Sequence, residues 1–182
     1  MTRLTASSLA ADGKAAPRTV PVIQGEIKVS DDPGVVLSTL LGSCVAVCMW
    51  DQRAGVGGMN HFLLAEGDGS NAIKYGAYAM EMLINRLLRS GASREMLACK
   101  AFGGASVSTY SSDIGRKNAE FARAFLADEG IPCIAESLGG TMARRVVFTP
   151  TTGAARMLLV KSAGEPRERI AAAPRAPDVT LF

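Results

Sequence analysis

An unbroken apolar run at residues 44–50 (CVAVCMW) most constrains how this chain folds. Turn-forming residues bound it, with Gly42-Ser43 before it and residues 51–55 (DQRAG) after it. A short apolar run between two turns predicts a buried β-strand. The chain returns as a second apolar segment, residues 56–64, so the two segments are expected to pair as antiparallel neighbours.

The rest of the central sequence alternates between predicted strands and two predicted helices. Apolar residues recur at helical spacing in residues 71–90 and 116–129, and a glycine follows each segment. Further strands are predicted at residues 25–30, 35–41, 97–102, 131–137, 143–149 and 155–161. Because these strands and helices do not form regular βαβ units, the pattern predicts an α+β fold or a layered α/β sandwich with mixed sheets.

The 182 residues predict one folded domain at residues 21–163, flanked by disordered segments at 1–20 and 164–182. The net charge of +3 is small and the basic residues are scattered, which argues against a nucleic-acid-binding protein. Neither a signal peptide nor a membrane-spanning apolar stretch is recognisable, so we expect a cytoplasmic protein.

Four cysteines are present, and the expected cytoplasmic location argues against disulfides. The spacing of Cys44 and Cys48 does not match a zinc site, so no metal is predicted. Cys44 follows the Gly42-Ser43 break at the mouth of a strand, where a thiol can stay partly exposed and its pKa can be lowered. Cys48, Cys99 and Cys133 are predicted to lie in the core.

His61 is the single histidine, and therefore the natural candidate for acid–base chemistry near neutral pH. An ungapped hairpin centred on Arg53 places Cys44 opposite Phe62, one step from His61. A β-bulge at Gly57-Gly58 is expected to supply the missing step. A packed structural histidine is the competing interpretation.

A cysteine–histidine pair commonly takes a third group that holds the imidazole. The hydroxyls of Ser38 and Thr39 are candidates, with Asn60 and Asp51 as alternatives. A tight backbone approach is predicted at Gly103-Gly104, either lining the site or serving packing alone.

The chain carries several motifs in a fixed order: STLLGSCVAVCMWD at 38–51, GGMNHFLL at 57–64, KYG at 74–76, AFGGA at 101–105, IGRKN at 114–118, Gly139-Gly140 and Thr152-Gly153. Together these motifs resemble the CheD family of chemoreceptor glutamine deamidases. The resemblance implies Cys44 as nucleophile, His61 as base and a threonine partner. Ser38 occupies the counted threonine position and Thr39 follows it. Ala65 departs from the family's usual proline.

The resemblance implies a layered α/β sandwich related to glutamine-deamidating toxin domains. It also implies conversion of receptor glutamines to glutamates through a Cys44 thioester, without a cofactor, in methyl-accepting chemotaxis receptors. A non-catalytic regulator that binds receptors or a CheC-type phosphatase is the alternative. A thiol redox protein using Cys44 and Cys48 is a further one.

Overall fold

The computed structural model describes residues 16–64, 69–107 and 112–160. Nine strands and two α-helices make up these residues, with a short 3₁₀-helix at Arg94–Met96. The strands are β1 (Arg18–Pro21), β2 (Ile27–Ser30), β3 (Val35–Leu41), β4 (Val45–Asp51), β5 (Val56–Asn60), β6 (Leu97–Gly103), β7 (Cys133–Leu138), β8 (Ala143–Thr149) and β9 (Ala154–Val160). The helices are α1 (Gly69–Arg89) and α2 (Ser112–Asp128).

The strands form two mixed sheets packed face to face. One sheet has the order β1-β3-β8-β9 and the other β2-β5-β4-β6-β7. The β1–β3 and β6–β7 pairs are parallel, and the remaining pairs are antiparallel. Both helices pack on the outer face of the five-stranded sheet, which gives three layers. The predicted α+β fold with mixed sheets and two main helices is confirmed.

β4 is the centre of this arrangement, and its position explains the unbroken apolar run. Val45, Val47 and Met49 face the helices. Ala46, Cys48 and Trp50 face the four-stranded sheet. Because successive side chains on a strand point to opposite faces, a central strand between two cores needs apolar residues at every position. The prediction of a buried strand is therefore confirmed.

The first strand was not predicted, and it begins before the expected domain boundary. β1 starts at Arg18, inside the segment expected to be disordered, and pairs with β3 in the register Arg18 to Val35. Four residues ending in proline carry no strand pattern of their own, so the strand depends on a partner that is distant in sequence. Residues 1–15 and 161–182, which include the predicted C-terminal tail, lie outside the described residues.

The turn at residues 31–34 separates two strands that belong to different sheets. β2 pairs with β5, and β3 pairs with β1 and β8. The chain therefore crosses from one sheet to the other at this turn. None of the helices in the described part of the chain has the length and apolarity to span a membrane.

Candidate active site

The strand register brings Cys44 and His61 to the same face, although not as predicted. Cys48 pairs with Met59, and an isolated bridge joins Val45 to Phe62 in the same register. The expected pairing of Cys44 with Phe62 is therefore wrong by one residue. Continuing the observed register places Ala46 opposite His61. Cys44 is then a diagonal neighbour of His61, a relation that spans about 7–8 Å between backbones and lies within reach of long side chains.

The predicted bulge at Gly57-Gly58 is absent, because β4 and β5 pair there without a shift. These glycines serve close packing instead. A Cβ on Gly58 would lie 2.7 Å from the Lys28 carbonyl oxygen and 2.9 Å from Leu83. Without a bulge, the register of β4 against β5 continues unchanged to the candidate site.

The His61 ring is held at one nitrogen by two partners. Nδ1 lies 2.9 Å from Thr39 Oγ1 and 3.2 Å from the Val22 carbonyl oxygen. The Thr39 hydroxyl donates its own proton to the same Val22 carbonyl, at 2.8 Å. Thr39 can therefore only accept from the ring, so the neutral imidazole carries its proton on Nδ1. The lone pair then belongs to Nε2.

His61 Nε2 is buried without a hydrogen-bond partner, alone among the side-chain nitrogen and oxygen atoms of the described residues. Buried polar atoms are almost always hydrogen-bonded, so an exception needs an explanation. Burial lowers the pKa of His61 below its ordinary value of 6.5, although the Val22 carbonyl opposes the shift. The ring thus presents an unprotonated, unsatisfied acceptor near neutral pH.

The two candidate hydroxyls lie on opposite faces of β3. Thr39 shares the inner face with Leu37 and Leu41, which are in the core between the sheets. Ser38 is on the other face, so Thr39 is the hydroxyl that contacts the imidazole.

The alternative third groups serve other parts of the fold. Asn60 accepts from Val47 N–H at 2.9 Å and donates to the Ala79 carbonyl at 3.2 Å, beneath α1. Asp51 accepts from the backbone N–H groups of Arg53, Ala54 and Ser93 and so fixes the turn after β4. None of these hydrogen bonds involves the imidazole of His61.

Cys44 is half-buried at the entrance to β4, and its thiol lies 3.3 Å from the Gln24 side-chain oxygen. Burial raises the pKa of Cys44 above its ordinary value of 9.0, and the cysteine's own backbone N–H partly offsets this. A lowered thiol pKa was expected from the position after Gly42-Ser43. The structure corrects this, because desolvation exceeds the effect of the N–H group.

The glycine pair at the end of β6 holds the backbone of Cys44. Gly104 N–H donates to the Cys44 carbonyl at 2.7 Å. A Cβ on Gly103 would lie only 2.0 Å from that carbonyl oxygen, and the Gly103 φ angle is 113°. The predicted tight backbone approach is confirmed, and it lies against the backbone of Cys44, the candidate nucleophile.

The remaining cysteines differ in exposure. Cys48 and Cys99 are fully buried, as predicted, whereas Cys133 is exposed on the edge strand β7 and does not belong to the core. Cys44 and Cys48 are four positions apart along an extended strand, about 13 Å. A disulfide needs Cα atoms within about 7 Å, so this pair cannot form one without rearrangement.

A shallow depression of about 300 Å³ opens beside the imidazole. Gln24, His61 and Thr39 line it together with the exposed apolar side chains of Ile23 and Leu40. Sequence reasoning missed Gln24 and the Val22 carbonyl. Both come from the connection between β1 and β2, where a glutamine before a glycine gives no local signal of chemistry. Within the described residues, no cluster of three or more His, Cys, Asp or Glu is placed to hold a metal ion.

Comparison with known proteins assigns the family. The CheD profile, described as CheD chemotactic sensory transduction, matches residues 63–158. A probable chemoreceptor glutamine deamidase CheD from Ruegeria sp. is 49% identical over 178 residues, covering 90% of this chain and 95% of the relative. The chain belongs to the CheD family. Similarly named CheD relatives are 54% identical over 153 residues in Caulobacter vibrioides and 52% over 171 residues in Zymomonas mobilis. They cover 82% and 91% of this chain, and 82% and 93% of their own lengths.

Proposed function

We propose that this CheD-family protein is a protein-glutamine deamidase that converts glutamine side chains of chemoreceptors to glutamate. The observation that carries the proposal is the His61 ring. One nitrogen is fixed by Thr39 and Val22, and the other is buried with a free lone pair on the same side of the sheet as Cys44. A packed structural histidine would satisfy both nitrogens, whereas a general base needs one left open. The names of the relatives supply the substrate class.

The reaction proceeds by acyl transfer. The Cys44 sulfur leaves the Gln24 contact, gives its proton to His61 Nε2 and attacks the Cδ atom of the substrate glutamine. The tetrahedral intermediate collapses as His61 returns the proton to the departing nitrogen, which releases ammonia and leaves a thioester on Cys44. His61 then takes a proton from water, and the resulting hydroxide attacks the thioester. The carbon–sulfur bond breaks, the Cys44 sulfur takes the proton back from His61, and the product leaves as glutamic acid, which ionises to glutamate.

The pKa shifts favour a neutral pair in the resting site. Burial raises the pKa of Cys44 and lowers that of His61, so neither group is charged at neutral pH. Proton transfer therefore accompanies the attack of sulfur instead of preceding it. Thr39 acts through the ring: it accepts from Nδ1–H, which keeps the lone pair on Nε2 and holds the ring plane.

The rim of the depression fits a protein substrate. Ile23 and Leu40 are 63% and 54% exposed, so two apolar side chains flank the entrance to the imidazole. Exposed apolar side chains that lie together beside a site are typical of a surface that contacts another protein. The substrate side chain then enters between them.

The test is to incubate the protein with a chemoreceptor cytoplasmic fragment and to map glutamine-to-glutamate conversion by peptide mass spectrometry. We expect conversion at defined glutamines with the wild type, and none with His61→Ala. A Cys133→Ser variant, which alters an exposed thiol on β7, is the matched control and should keep full activity. A wild type that binds the fragment without converting any glutamine would instead support the role of a non-catalytic receptor- or phosphatase-binding regulator.

A further inference from the structure

Gln24 stands on a tight turn that leaves its backbone little freedom. Glu26 N–H donates to the Ile23 carbonyl at 3.0 Å, and Gly25 has a φ angle of 85°. A positive φ at the third residue of such a turn is typical of type II, so Gln24 occupies the second position. A second hydrogen bond spans the turn, because the Glu26 carboxylate accepts from Ile23 N–H at 3.1 Å.

The same turn is bonded to His61 along the backbone. Gly25 N–H donates to the His61 carbonyl at 2.7 Å, and His61 N–H donates to the Glu26 carbonyl at 3.1 Å. The residue before the turn, Val22, accepts from the imidazole itself. The backbone that carries Gln24 is thus fixed with respect to the ring, and the glutamine reaches the site from a rigid element.

The side chain of Gln24 meets the reacting sulfur. Its carboxamide oxygen lies 3.3 Å from Cys44 Sγ, while the residue as a whole is exposed on the rim of the depression. A half-turn about the last side-chain bond exchanges the oxygen for the NH₂ group, since the two ends of an amide have nearly the same shape. The same anchored side chain can therefore present an N–H donor beside the sulfur.

Attack by Cys44 places negative charge on an oxygen only two bonds from that sulfur. Preorganised N–H donors aimed at such an oxygen make a large contribution to catalysis. The Gln24 carboxamide, which lies 3.3 Å from the attacking sulfur, is placed to supply one such donor.

We propose that Gln24 is a catalytic residue that donates a hydrogen bond to the oxyanion formed on the substrate glutamine. This inference rests on the proposed deamidase function and adds a residue to it. In the resting site the thiol donates to the Gln24 oxygen. When the sulfur moves to the substrate, the amide turns and its N–H groups replace that bond. Gln24 itself exchanges no proton or covalent bond.

The test compares Gln24→Ala and Gln24→Met with the wild type in deamidation of a receptor fragment. Methionine keeps the length of the side chain and lacks the N–H donor. We expect kcat to fall roughly 10²–10³-fold in both variants, the cost typical of losing one oxyanion donor, with KM changed less than about threefold. Gln52→Ala, an exposed glutamine in the turn after β4, is the matched control and should match the wild type.

Alkylation of Cys44 by iodoacetamide separates the proposed role from a structural one. This displacement forms no oxyanion, and the variants lose only the acceptor of the resting thiol's proton. Both Gln24 variants should therefore react at least as fast as the wild type. Wild-type kcat in the variants would overturn the inference, and so would a parallel loss of kcat and alkylation. Conversion of Gln24 itself to glutamate in the wild type but not in Cys44→Ala would make it a substrate and also overturn the donor role. A wild type without any deamidation activity would contradict the proposed function, and this inference would fail with it.

Discussion

The Thr39 hydroxyl takes part in two buried hydrogen bonds, and replacing it by a methyl group measures their value. Thr39→Val keeps the shape of the side chain while removing the 2.8 Å bond to Val22 and the 2.9 Å bond to His61. Each such bond contributes about 1 kcal/mol net, so the loss is roughly 2 kcal/mol. The Val22 carbonyl keeps its contact with Nδ1 at 3.2 Å, which limits the loss.

If that energy serves to hold the ring and its tautomer, the deamidation rate should fall by about 30-fold, since 1.4 kcal/mol corresponds to a factor of ten. The assay is kcat/KM on a receptor fragment, with urea unfolding measured in parallel. Thr39→Ser retains the hydroxyl and should restore most of the activity. Ser38→Ala, on the opposite face of the same strand, should leave the rate unchanged. A Thr39→Val rate within twofold of the wild type would contradict this role of the hydroxyl, and so would an equal loss of activity in Ser38→Ala.

Three further predictions concern charged or titratable groups. Because burial raises the pKa of Cys44 above 9.0 and lowers that of His61 below 6.5, alkylation of Cys44 should reach half its maximal rate only above pH 9.0. Deamidation should decline in acid with a midpoint below pH 6.5, as His61 becomes protonated; an alkylation midpoint at or below neutral pH would contradict this. Arg144 is buried and donates to the Gly103 carbonyl at 2.7 Å, so Arg144→Met should cost about 2–3 kcal/mol in urea unfolding. Arg145→Met changes the exposed neighbouring arginine and should cost less than about 0.5 kcal/mol of unfolding free energy. Equal losses of stability in the two variants would contradict the structural role of Arg144.

Local pattern was sufficient to predict most of the elements and to select Cys44 and His61 as candidates. The apolar run at β4 specifies a strand between two cores, and the single histidine leaves one candidate base. Register was harder to predict. Counting from the centre of a turn placed Cys44 opposite Phe62, but the turn after β4 is set by Asp51, whose carboxylate accepts from three backbone N–H groups. That detail shifts the pairing by one residue.

The parts that sequence could not supply depend on contacts between distant segments. Thr39 and Ser38 are equivalent by composition, and only the pairing of β3 within its sheet decides which hydroxyl faces inward. Gln24 and the Val22 carbonyl reach the site because β1 pairs with β3 in parallel, which no local pattern indicated. The thiol pKa depends on desolvation and therefore on packing that forms only in the folded chain.

The role of Cys44 as the nucleophile of glutamine deamidation is tested by a time course in which one thiol is altered at a time. Peptide mass spectrometry would follow glutamine-to-glutamate conversion on a receptor fragment for the wild type, Cys44→Ala and Cys133→Ser. We expect the wild-type rate with Cys133→Ser and no conversion above the enzyme-free background with Cys44→Ala. Conversion by Cys44→Ala at the wild-type rate would contradict it.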